Sequence, residues 1–323
     1  MPPAVFSVAM ATGITATGLQ LAGWHRLGAA FTLIAAACFL VLAAALAVRA
    51  VRHRAQLAAD LLNPAASFGF FTTVAAANVL GLALGTLGLE RLSLAASAAG
   101  LLLWLVLTYA VPGAVVLHER KTPALASANG SWFLWAVATQ SVAGALAHHA
   151  GLAPWLGTAA LCLWLLGCLL YLLLATLVTL RMIRYPNKAE TLSPTYWIFM
   201  GATAISVLTG STLLGLPQAL PPDSRPVISL ITLALLSVGL WFIPLLVVFG
   251  IWRHGVHRHP LRYETGLWAI VFPTGMLATA CLSLGALPGF GALHPAGMVL
   301  IWCAVAGWLG TTVLFLRALA RRA

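Results

Sequence analysis

The side chains able to carry charge or bind a metal sit in the wrong places for catalysis. The six acidic residues, Asp60, Glu90, Glu119, Glu190, Asp223 and Glu264, all fall in polar breaks between long apolar runs or at the ends of those runs. None lies at the depth where proton-coupled and ion-coupled carriers commonly hold a carboxylate. The nine histidines follow the same rule, so no pair is set within a bundle as a haem would require. His254, His257 and His259 could ligate a metal, but they share a segment with Arg253 and Arg258 and read as a basic loop. Cys38, Cys162, Cys168, Cys281 and Cys303 lie inside apolar runs, without metal-knuckle or disulfide spacing, and read as small apolar filler. No HExxH, CxxC, nucleophile elbow or phosphate-binding loop occurs. The sequence predicts no enzyme active site, no resident metal and no cofactor.

What remains is neutral chemistry. Hydroxyls, amides and aromatic rings collect in the segments Val8–Gly18, Phe70–Gly81, Trp135–Gly144, Phe199–Gly210 and Phe272–Gly285. Thr12, Thr73, Thr139 and Thr203 recur at intervals of 61, 66 and 64 residues, and Thr274–Thr279 follows after about one more. A period of one helix pair predicts five helical hairpins. Thr12, Phe71, Thr139, Gln140, Thr203 and Ser206 are the expected pore-lining residues. Phe272-Pro273 is a further candidate. A proline in a spanning helix frees a backbone carbonyl, and the ring beside it could project into an axis and obstruct it. Asn129-Gly130-Ser131 is formally a glycosylation sequon; its place at a helix start predicts an N-terminal cap instead.

These side chains must be positioned by helices. Of 323 residues, 62% are hydrophobic and 7% are charged, and the mean hydropathy is +1.00. Soluble domains carry about 25% charged residues, so the lipid bilayer must be the solvent for most of this chain. Ten apolar runs read as spanning helices: Pro3–Leu21, Leu27–Val51, Ala65–Leu87, Leu92–Leu117, Ser127–His148, Pro154–Leu180, Thr195–Leu216, Pro226–Trp252, Thr265–Leu287 and Pro295–Leu316. Turn-forming punctuation such as Asn63-Pro64, Tyr185-Pro186-Asn187 and Pro221-Pro222-Asp223 separates them. No cleavable signal peptide is expected, since Met1–Gln20 lacks a basic n-region.

The net charge is +11. Fourteen of the 17 Lys and Arg follow even-numbered runs, from Arg49 to Arg321 and Arg322; only Arg26, Arg91 and Arg225 follow odd ones. Positive loops stay inside, so both termini are expected in the cytoplasm. No basic stripe with interleaved aromatics suggests nucleic acid. Odd runs are rich in Gly, Thr, Ser, Asn and Gln, whereas even runs are Leu-rich. Small residues allow close helix approach, and polar ones avoid hydrocarbon. The expected fold is therefore all-α and integral to the membrane, a single domain over 1–323 with an inner ring of odd helices and an outer ring of even ones. An axis lined by neutral dipoles, with Lys and Arg at one mouth, favours a small anionic substrate.

The ninth run reads Tyr263-x4-Trp268-x3-Phe272-Pro273. With Asn63-Pro64…Phe70-Phe71-Thr72-Thr73, Asn129-Gly130-Ser131-Trp132 and Pro194-Thr195-Tyr196-Trp197, it resembles the tellurite-resistance/dicarboxylate transporter family. That family includes bacterial tellurite-resistance proteins, slow-type anion channels of plant guard cells, and fungal malate and sulfite transporters. The resemblance covers nearly the whole chain. It implies a homotrimer with one pore per protomer, an inner ring of odd helices, and a gating phenylalanine, by motif Phe272. It also implies transport across the inner membrane, of small inorganic anions or C4-dicarboxylates. A gradient-coupled carrier for tellurite, sulfite or malate is the alternative. Kinase control through long phosphorylatable tails, as in the plant channels, is not expected.

Overall fold

The computed structural model describes residues 2–216, 220–221 and 223–321. Pro222 of the predicted turn and Arg322 of the predicted basic terminus lie outside them. Among the described residues the chain is helical with no strand. Its α-helices are α1 (Ser7–Leu21), α2 (His25–Arg52), α3 (Arg54–Leu62), α4 (Phe71–Gly85), α5 (Glu90–Leu117), α6 (Leu134–His148), α7 (Pro154–Arg184), α8 (Ile198–Gly215), α9 (Ser224–Ile251), α10 (Trp268–Gly285) and α11 (His294–Ala320).

Among the described residues, nine helical stretches are long and apolar enough to cross a membrane, and the protein is a multi-pass integral membrane protein. The expected crossing over Ser127–His148 is not among the nine. Thr139, Gln140, Ser141 and His148 dilute its apolar character. Its helix α6 nonetheless sits in the middle of the molecule, packed between α4 and α8.

Two populations of helix are plain from burial. The spans carrying α1, α4, α8 and α10 are 78–89% buried within the protein, whereas those carrying α2, α5, α7, α9 and α11 are 17–28% buried. The buried helices form a closed circuit in which α1 packs on α4, α4 on α6, α6 on α8, α8 on α10, and α10 back on α1. Each also packs on the helix that follows it, so α2, α5, α7, α9 and α11 surround the circuit. The outer helices turn Leu40, Leu102, Leu169, Leu230 and Val299 outward. In lipid that exposure costs nothing, because hydrocarbon replaces water around them.

A glycine on each outer helix receives a side chain from its inner partner. A Cβ at Gly28, Gly100, Gly167, Gly239 or Gly297 would come within 2.3–2.7 Å of Gln20, Asn78, Gln140, Thr203 or Leu282 respectively. These notches let paired backbones approach while the larger polar groups stay out of lipid.

Every inner helix is entered through a 3-10 turn: Pro3–Phe6, Ser67–Phe70, Gly130–Phe133, Pro194–Trp197 and Thr265–Leu267. The five turns touch in a ring of their own, in the same order as the helices. The inner helices therefore start at one end of the molecule and run parallel. The sequence repeat is this turn-plus-helix unit. Asn129 caps the third turn as predicted, accepting from the Ser131 N–H at 2.8 Å.

Two elements were not anticipated. Helix α3 lies in the loop after α2, held by the Arg49–Asp60 ion pair at 2.5 Å. Helix α9 ends in a π-helical turn, Trp252–Val256, which carries the buried Arg253 to within 2.9 Å of Glu264.

Candidate functional site: the axis of the inner ring

The inner helices enclose a narrow cavity with ≈ 30 Å3 of space for water. All five contribute to its wall: Ile14 from α1; Asn78, Val79 and Leu82 from α4; Gln140, Ser141, Gly144 and Ala145 from α6; Ile205, Leu208, Thr209 and Thr212 from α8; and Met276 from α10. No Asp, Glu, Lys or Arg occurs in any of the five helices. Most polar atoms here are tied to one another. Asn78 Nδ2 donates to Ser141 Oγ at 3.0 Å, and Ser141 Oγ donates to the Ala138 carbonyl at 2.7 Å. Thr209 Oγ1 donates to the Gln140 carbonyl at 3.1 Å. Asn78 Oδ1 and Gln140 Oε1 are buried acceptors with no protein partner.

Phe272 is one helical turn from Met276, the α10 residue that lines this cavity. Residues four apart share a helix face, so Phe272 lies on the face of Met276, one turn nearer the 3-10 end. Its level is set by register. The fifth residue of each inner α-helix is Ala11, Ala75, Ala138, Ala202 or Phe272, and all five are fully buried. One ring thus shares its register position with four alanines. Pro273 has no N–H for the Ala269 carbonyl, and its ring packs over Gly201 of α8, where a Cβ would sit 2.7 Å away.

The other expected pore residues are placed differently, with one exception. Gln140 lines the cavity, although its Nε2 reaches outward to the Trp164 carbonyl at 3.0 Å. Thr12, Thr139 and Thr203, each sixth in its helix, face outer helices. Thr12 Oγ1 accepts from Trp308 Nε1 at 2.9 Å. Thr139 Oγ1 accepts from Trp104 Nε1 at 3.0 Å, and Thr203 fills the notch at Gly239. Ser206 donates back to the Ala202 carbonyl at 2.8 Å, and its own carbonyl accepts from Trp164 Nε1 at 2.8 Å. Phe71 stacks on Trp135 of α6 at 6.5 Å. Thr12, Thr139 and Ser206 share one physical reason: indole N–H groups on outer helices need acceptors, and inner-helix oxygens supply them. Thr73 belongs to a different register, third in α4, with Ala76 at the sixth position. Asn78, Ser141, Thr209 and Thr212 were missed. Their only sequence signal was membership of the polar-rich runs.

At the 3-10 end, a wide depression with ≈ 520 Å3 of space is lined by Pro3, Gly69, Ser131, Thr195, Glu190 and Arg181, among others. Four of the five inner-helix entries line it, and their N-termini place partial positive charges here. Arg181 adds a full positive charge and Glu190 a full negative one; Arg181 is buried, with Nη1 donating to Asn187 Oδ1 at 2.5 Å. His254 and His257 are engaged locally, with His254 Nδ1 2.8 Å from the His259 carbonyl oxygen and the His257 ring on Trp252. The five cysteines are free thiols.

Two curated relatives, both uncharacterized membrane proteins of Mycobacterium tuberculosis (strains CDC 1551 / Oshkosh and ATCC 25618 / H37Rv), are 38% identical to this chain over 152 residues. The match covers 47% of this chain and 77% of theirs. A family model described as voltage-dependent anion channel matches residues 1–316. A ring of uncharged helices around a narrow axis accords with that description. The chain belongs to the voltage-dependent anion channel family, whose function is the movement of anions across a membrane.

Proposed function

We propose that this protein is a passive anion channel, with ten membrane-crossing helices in five hairpins and a pore along the axis of the inner ring. Phe272 occludes the path and Pro273 gives its helix the freedom to yield. Small inorganic anions or C4-dicarboxylates are the cargo. The observation that carries this reading is a fully buried Phe272 at the register position that Ala11, Ala75, Ala138 and Ala202 hold in the four other uncharged inner helices. A hydrophobic constriction gates by excluding water; rotation of the ring off its preferred rotamer opens it at modest cost. Parallel helix N-termini draw anions to one mouth, where Arg181 and Glu190 both line the depression. The Lys- and Arg-rich loops return to that end, which makes it cytoplasmic together with both termini. The protein resides in the inner membrane as a homotrimer, as the family resemblance implies.

The test is anion flux in liposomes under a clamped potential, wild type beside Phe272→Ala, with chloride, nitrate and malate offered in turn. The channel reading expects Phe272→Ala to conduct at least ~10-fold more, because the dewetted segment is gone, and the current to follow the electrochemical gradient. Equal, slow, saturable uptake by both proteins supports the second reading, a gradient-coupled carrier for tellurite, sulfite or malate, and removes Phe272 as gate.

A further inference from the structure

At the end of the ring opposite the 3-10 turns, three metal-ligating side chains converge from two elements. Helix α6 ends at His148, His149 follows it, and α5 begins with Glu90. One ligand atom from each of the three lies within 4.8 Å of the other two. His148 Nε2 is 3.9 Å from Glu90 Oε2, too long for a hydrogen bond. His149 is buried, its Nε2 3.4 Å from Ser93 Oγ. Gly85, the last residue of α4, makes room for the cluster, since a Cβ there would sit 2.4 Å from His148 Nε2. The two imidazole rings stand edge to face at 4.9 Å.

We infer that Glu90, His148 and His149 form a binding site for a divalent transition metal at this mouth. Two imidazoles and one carboxylate are borderline donors, suited to Zn2+, Co2+, Ni2+ or Cu2+ rather than to Mg2+ or Ca2+. Three protein ligands leave further positions for water or an anion. Ser93 orients the His149 ring, the part an outer-shell partner plays in metal sites.

The site is built beside the axis. Gly144 lines the central cavity and His148 lies four residues on; Leu82 lines it and Gly85 lies three on. A bound ion would place two positive charges about one turn beyond the cavity. On the channel reading, to which this clause alone is tied, occupancy alters anion passage from that side only.

The experiment is Zn2+ titration by calorimetry of the purified full-length protein in nanodiscs, with Co2+ visible spectra as a second readout. One ion per chain is expected. Glu90→Gln, at an exposed position, and His148→Ala each weaken binding by at least ~10-fold, the loss that even an outer-shell change causes. His254→Ala/His257→Ala leaves binding unchanged. Absence of saturable binding overturns the proposal, as does binding that survives both Glu90→Gln and His148→Ala. Zn2+ on each side of flux-competent liposomes then reads the effect on transport. Site-dependent binding in a preparation that passes no anion strikes the channel reading and leaves the metal site standing.

Discussion

The inner and outer helices invert the rule that governs soluble proteins. In water the buried helix is the apolar one. Here the helices with most of their surface inside the protein carry the Thr, Ser, Asn and Gln, and the exposed ones carry Leu and Val. The cause is the solvent. Lipid gives apolar side chains no reason to be buried, so close packing and satisfied polar groups decide which helices go inside. The inner helices also have shorter α-helical segments, 15 to 18 residues against 27 to 31. Their 3-10 entries bring five chain starts together at one mouth, where longer helices would collide.

The sharpest way to break this contrast is to add one methyl group to each population. A Cβ at Gly130, in an inner 3-10 turn, would sit 2.0 Å from the Thr195 carbonyl oxygen, a backbone atom of the next turn. Gly130→Ala is expected to cost more than ~3 kcal/mol, at the upper end of overpacking effects, and to abolish monodisperse protein in size-exclusion chromatography. On outer helix α5, a Cβ at Gly113 meets nothing within 4 Å. Gly113→Ala is expected to be neutral or stabilising, since alanine favours helix by ~1 kcal/mol. Equal melting temperatures for the two variants would erase the distinction.

Removal of side chains probes the same division with a smaller effect. Leu213 of α8 is fully buried, whereas Leu169 of α7 faces outward. Leu213→Ala should cost ~2–5 kcal/mol through cavity formation, and Leu169→Ala within ~0.5 kcal/mol, read as a detergent-phase melting shift. The smallest effect belongs to the ties between rings. Trp104→Phe and Trp308→Phe each delete one hydrogen bond, to Thr139 and Thr12, at ~1 kcal/mol apiece. A loss much above that in Trp308→Phe would mean that the α11–α1 contact, which joins the two ends of the chain, bears more of the ring's closure than its counterpart.

The site was only partly legible in the sequence. The odd-even alternation of composition pointed to the two populations, and Phe272-Pro273 stood out as a pair. Facing could not be read for Thr12, Thr139 or Thr203. An amphipathic stripe reveals which way a helix turns only when one side meets a different solvent. In α1, 13 of 15 residues are buried, so its periodicity carries no direction. Asn78 was passed over for the same reason, and α3 because nine residues in a basic loop leave no apolar run.

The residue letters alone determined that the chain lives in lipid, which loops are basic, and which helices are too polar to face hydrocarbon, because these depend on composition summed over a segment. Tertiary structure decided which hydroxyls turn toward an indole and which toward the axis, that four alanines share a register position with Phe272, and that Glu90 meets His148 and His149. Those are relations between segments 35 residues or more apart, fixed by where helices touch and recorded in no single stretch of chain.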